Sequence, residues 1–183
     1  MLAHVAALST LAASAIAASL PLHHVKRAPS GPDPALTIPQ AQLDANIQCP
    51  LQPDGSYSGV TKPILLVPGT GTTGAVSYDH TYVPLTSQLG YQPCYVSPPP
   101  NLLGDAQDNT EYVVNAVRRL YAESGDKKVP VITWSAGGLI TQWGLTFFPS
   151  LRQQVDRFVA FAPDYKGTIE GEEGVADVPL RTR

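Results

Sequence analysis

Four short apolar runs, with helical stretches between them, predict an α/β fold with a parallel-sheet core. The runs are "PILLVP" (63–68), "QPCYVS" (92–97), "VPVITW" (129–134) and "RFVAFAP" (157–163). They lack the strict alternation of a half-buried strand, which is the pattern of strands covered on both faces. They recur at roughly 30-residue intervals, room for a strand, a helix and two loops. The chain has 183 residues, 43% hydrophobic and 15% charged, enough for one globular core. Its net charge of −3 carries no basic footprint for nucleic acid.

The elements follow in order. "MLAHVAALSTLAASAIAASL" reads as a secretory signal peptide with Ala15-Ile16-Ala17 as its cleavage site. Its apolar stretch is too short and too rich in Ala and Ser for a transmembrane anchor. Lys26-Arg27 is a dibasic pair that reads as a propeptide cut, so residues 1–27 are expected to leave a secreted product starting at Ala28. Residues 28–168 form the domain, and residues 169–183 form a tail off its pattern. Residues 28–61 are rich in Pro, Ser and Asp and read as an extended arm with one short helix near Gln40–Asn46. Asp108 and Glu111 fit a capping box for a helix striped by Val113, Ala116, Val117 and Leu120, with Gly125 as its stop. Gly137 to Phe147 reads as a further helix, ending before Pro149. Cys49 and Cys94 are the two cysteines, and in a secreted chain an even count favours one disulfide over two buried thiols.

Two stretches carry chemistry. "ILLVPGTGTTG" (64–74) spaces Gly69, Gly71 and Gly74 as in a dinucleotide-binding loop. That reading requires a helix directly after the loop and a carboxylate at the end of the second strand. The following "AVSYDHTYVP" shows no helical stripe, and "CYVSPPP" ends without a carboxylate. No Gly-Lys-Ser/Thr closes the loop, so it is not a P-loop either. The second stretch, "VPVITWSAGGLITQWG", runs from a buried strand through Ser135-Ala136-Gly137-Gly138 into a helix. That is the layout of a nucleophile elbow, although Thr133 stands where the usual motif has its first glycine. A serine N-cap is the plainer reading of Ser135. The strand before, the helix after and the glycine loop on an earlier strand favour the elbow. In that arrangement the loop lies beside Ser135, and Thr70 offers an amide and a hydroxyl to the oxyanion that the Ala136 amide also meets.

The blocks "KPILLVPGTGTTG", "QLGYQPCYVSPPP", "NTEYVVNAV", "TWSAGG", "QWGLTFFPS" and "VDRFVAFAPDYKGT" are collinear with one family. Over about residues 26–168 the chain resembles the fungal secreted lipases of the Candida antarctica lipase B type, α/β-hydrolases. The resemblance implies a serine ester hydrolase working through an acyl-enzyme, with an ester or lipid as substrate, no cofactor and no metal. It implies Ser135 as nucleophile, Thr70 and Ala136 as oxyanion hole, and Cys49–Cys94 as a disulfide. Thr72, Ser77 and Trp134 match the small pocket on the alcohol side of the ester, and Asp164 matches a position near the acyl side. Contact with a lipid–water interface and a monomeric state when complete belong to the same expectation.

Three departures stand out. The family has Gln where Ala136 stands, and "GDA" (104–106) replaces its glycosylation sequon. The family also places its triad Asp and His after the serine. The histidines here are His4, His23, His24 and His80, and none follows Ser135. After Thr168, "IEGEEGVADVPLRTR" leaves the family pattern, and Asp177 within it has no claim to be the triad acid. Two accounts remain at this point: a lipase-type hydrolase represented by part of its chain, or a lipase-like binding protein that no longer catalyses.

Overall fold

The computed structural model describes residues 29–167. The signal peptide, the dibasic cut, Thr168 and the 169–183 tail lie outside the described residues. Helix α1 (Gln40–Ala45) and the short strand β1 (Ile47–Gln48) belong to the arm. Strand β2 (Pro63–Val67) is followed by α2 (Gly74–Tyr78) and α3 (Tyr82–Gln88). Then come β3 (Gln92–Val96), α4 (Ala106–Glu123), β4 (Val129–Trp134), α5 (Ala136–Phe147), α6 (Leu151–Gln154) and β5 (Val155–Phe161). The sheet order is β1-β3-β2-β4-β5. The four long strands are mutually parallel, and β1 joins antiparallel against β3, an addition the arm's composition did not announce.

The pleat of β2 divides the core. Leu65 and Val67 face a cluster built with α4 and α5, including Val113, Val117, Val131 and Ile140. Ile64 and Leu66 face a smaller cluster with Tyr78, Val83 and Tyr95. The sheet is therefore covered on both faces at β2 and β3, as an all-apolar strand requires. The expectation of covered strands fails at β5, where Val159 and Phe161 are exposed. The α2–α3 layer lies over β2 and β3, and Tyr82 on α3 meets Phe161 of β5 at 5.6 Å between ring centroids.

Two helix expectations need correction. The N-cap of α4 is Asp105, not Asp108; its carboxylate accepts from Gln107 N at 2.6 Å and Asp108 N at 3.4 Å. Glu111 is used elsewhere, as shown below. The stretch after the glycine loop is helical after all. Thr73 caps α2 by accepting from Val76 N, and Pro84 sits in the first turn of α3, where its missing N–H has no intrahelical partner to lose.

The arm is stitched to α4 by carboxylates. Glu111 accepts from Thr37 N at 2.7 Å, Thr37 Oγ1 at 2.9 Å and Ile38 N at 2.9 Å. Asp44 receives both Nε and Nη2 of Arg119 at 2.8 Å, with Asn115 and Gln40 alongside. Asp33 meets Arg118 and both the amide and hydroxyl of Ser150. Burial alone would raise Asp33 and Asp44, but these hydrogen bonds and guanidinium partners outweigh it and hold both carboxyls below their usual range. Cys49 and Cys94 form a disulfide that ties the arm to β3.

Candidate active site

Ser135 is the single residue between β4 and α5, and its backbone is at φ 51°, ψ −131°. That region is sparsely populated for a residue with a Cβ and costs on the order of 1–3 kcal/mol. The surroundings enforce it. Ser135 N donates to Phe161 O at 3.0 Å, and Ser135 O accepts from Gly138 N at 2.9 Å and Asp164 N at 3.4 Å. The two glycines after Ala136 are steric necessities. A Cβ on Gly137 would lie 2.4 Å from Pro68 O and 2.6 Å from Val67 O, backbone atoms that cannot swing away. One on Gly138 would lie 2.7 Å from the Pro163 ring. The α5 terminus is thus pressed onto the end of β2 and the loop after β5. Thr133, where the usual motif has glycine, is wholly buried, and its Oγ1 has no hydrogen-bond partner among the described residues.

The glycine loop lies against this turn. A Cβ on Gly69 would come within 2.9 Å of Ser135 Cβ and 3.1 Å of the Trp134 ring. Thr70 follows and is exposed, and Ala136 opens α5, so its amide belongs to the helix N-terminus. The loop is held at three points. Tyr78 donates its hydroxyl to Val67 O at 2.6 Å, just before the loop. Burial, with Tyr82 adding to it, raises the Tyr78 pKa, so the phenol stays a neutral donor. Gly71 N donates to Asn101 O at 2.8 Å, and Gly71 takes φ +74°, which glycine tolerates. Gly74 N donates to Ser97 Oγ at 2.9 Å while its Cα side abuts the Tyr95 ring.

Beside the elbow, Ser77 Oγ joins two neighbours: Thr72 Oγ1 at 3.2 Å and Trp134 Nε1, which donates at 3.4 Å. Ser77 and Trp134 border an open hollow of about 360 Å³ whose walls also include Tyr82 and Phe161. His80 is exposed between α2 and α3. Among the described residues, no group of three His, Cys, Asp or Glu side chains is placed to hold a metal ion.

Comparison with known proteins bears on this arrangement. Lipase B of Pseudozyma antarctica is 62% identical over 145 residues, which are 79% of this chain and 42% of that protein. The crystal structure of Aspergillus fumigatus lipase B superposes with a TM-score of 0.68 at 34% identity, over 79% of this chain and 34% of that one. The chain resembles the lipase B proteins and carries part of their α/β-hydrolase fold. It spans less than half the length of either relative. No protein-family profile matches it.

Within this lipase B-like fold, the residues singled out from the sequence gather at the carboxyl ends of β2, β4 and β5. Gly69 touches the Ser135 and Trp134 positions, Thr72 and Ser77 meet Trp134, and Asp164 reaches Ser135 through its backbone amide. Tyr78, Ser97 and Asn101 went unnoticed in the sequence, although they hold the loop. Only Tyr78 left a trace there, as an aromatic four residues after Gly74, one helical turn on.

Proposed function

We propose that this chain is part of a secreted serine ester hydrolase of lipase type, with Ser135 as its nucleophile. The observation that carries the reading is the strained Ser135 backbone at a strand-to-helix turn, backed by two glycines that no other residue could replace. Such a turn lifts the hydroxyl above the sheet, where an ester can approach it. Oγ attacks the carbonyl carbon, and the carbonyl oxygen becomes an oxyanion. The amides of Thr70 and Ala136, with the Thr70 hydroxyl, donate to that oxygen, and their preorganisation spares the cost of reorienting solvent. Collapse expels the alcohol and leaves an acyl-Ser135, which water then cleaves. Thr72, Ser77 and Trp134 border the alcohol, and Asp164 lies toward the acyl side. No step calls for a metal or a cofactor. The dibasic pair Lys26-Arg27 suits a product secreted from Ala28.

The attack needs a base for the serine proton, and this chain has no histidine after Ser135. In a triad protease of another fold, loss of the base costs about 10⁶-fold in kcat. The chain alone should therefore show almost no turnover of a p-nitrophenyl ester. The same chain continued with the remaining sequence of its lipase B relative should turn the ester over, and Ser135→Ala should abolish that turnover. No Ser135-dependent hydrolysis by the continued chain would overturn the assignment, and robust Ser135-dependent hydrolysis by the 183-residue chain would overturn the need for a further base.

A further inference from the structure

One backbone carbonyl lies between the two amides assigned to the oxyanion. Val67 is the last residue of β2 and stands three positions before Thr70. Its oxygen also abuts the first turn of α5, since a Cβ on Gly137, the residue after Ala136, would come within 2.6 Å of it. A displacement of this carbonyl therefore moves the Thr70 amide through the chain and presses on the α5 terminus that carries the Ala136 amide.

Tyr78 pins that carbonyl. Its hydroxyl donates to Val67 O at 2.6 Å. The side chain is 2% exposed and packs in the cluster of Ile64, Leu66, Val83 and Tyr95, with the Tyr82 ring edge-on at 5.9 Å. A phenol enclosed in a close-packed cluster has little freedom to follow the carbonyl, so the bond fixes Val67 O instead of riding with it. Ser97 and Asn101 hold the loop on the other side of Thr70, at Gly74 and Gly71. We propose that Tyr78 is a positioning residue for ester hydrolysis: through Val67 O, its hydroxyl sets where the Thr70 and Ala136 amides stand relative to each other, and so how well they meet the oxyanion. This role rests on the reading of the chain as part of a serine ester hydrolase. Donors to an oxyanion act on the transition state, and loss of one costs roughly 10²–10³-fold in kcat. A pair set slightly out of place loses part of that.

The test is Tyr78→Phe, which keeps the ring and removes the hydroxyl, in the chain continued with the remaining sequence of its lipase B relative. For a p-nitrophenyl ester kcat should fall about ten-fold with KM unchanged, the mark of an interaction made only in the transition state. An alkyl boronic acid, whose tetrahedral adduct with Ser135 places an oxygen where the oxyanion forms, should bind about ten-fold more weakly. That Kd does not depend on how much of the enzyme is folded. Val83→Ala thins the same cluster; it should lower stability in urea and leave kcat and the boronic acid affinity as they were. Unchanged kcat and boronic acid affinity in Tyr78→Phe, or equal losses in Val83→Ala, would overturn the role and leave Ser135 as nucleophile. Ester turnover that is absent from the continued chain, or that survives Ser135→Ala, would overturn the hydrolase reading and this role with it.

Discussion

The side of the sheet around β3 and α4 and the side around β5 are built from equally apolar sequence, yet only the first is closed. On the α4 side ten consecutive or near-consecutive residues are buried, the disulfide ties β3 to the arm, and three carboxylates bind arm to helix. On the β5 side Trp134, Val159, Phe161 and Tyr165 are each at least 40% exposed. Apolar strand sequence therefore specifies that a strand will be covered, while the covering itself depends on which other elements arrive. The candidate site straddles the two sides, with its loop on the closed one and Ser135 bonded to the open one.

The largest test of this contrast strikes the closed side. The Cys49–Cys94 bridge spans 45 residues of sequence, and in the chain-entropy model closing such a loop is worth about 4 kcal/mol. Cys49→Ser with Cys94→Ser should lower the unfolding free energy, read by urea denaturation, by an amount of that order. A shift below about 1 kcal/mol would mean that the arm is held by its carboxylates alone.

Acid should act on the same side with a smaller effect. Asp33 and Asp44 have folded pKa values below the ordinary 3.8. Their contribution is thus complete above the unfolded value and is lost as pH falls through the folded values. The urea midpoint should drop as pH falls below about 4, and Asp33→Asn with Asp44→Asn should flatten that drop while lowering stability at pH 7. An unchanged slope in the double variant would remove these residues from the account.

The smallest effect belongs to the open side. Val159→Thr should change stability by no more than about 0.5 kcal/mol, because the methyl it removes is already wet. The same change at Val131, wholly buried, places an unsatisfied hydroxyl in the core and should cost about 1–3 kcal/mol. Equal costs at the two positions, read by urea denaturation, would show that β5 is covered in solution.

Local sterics made much of this legible from sequence. The four long strands were visible as apolar runs, and the Ser135 turn was visible because its glycines answer to atoms of the immediate fold. Features set by distant partners were not. Asp105 and Asp108 are equally plausible caps on paper, and Glu111 is claimed by Thr37 and Ile38, more than 70 residues away. Helices α2 and α3 were hidden by Gly74, Thr73 and Pro84, residues that suit helix starts but weaken any periodic stripe. The exposure of β5 had no signature, since a run of Phe, Val and Ala reads the same with or without a neighbour.

The backbone bonds of Ser135 make it a gauge of how β5 is held. Its amide hangs on the last carbonyl of β5 and its carbonyl on the amide of Asp164 just beyond, so the strained turn is tensioned by the least covered strand of the sheet. A shift of β5 would therefore register in the amide resonances of Ser135 and Gly138.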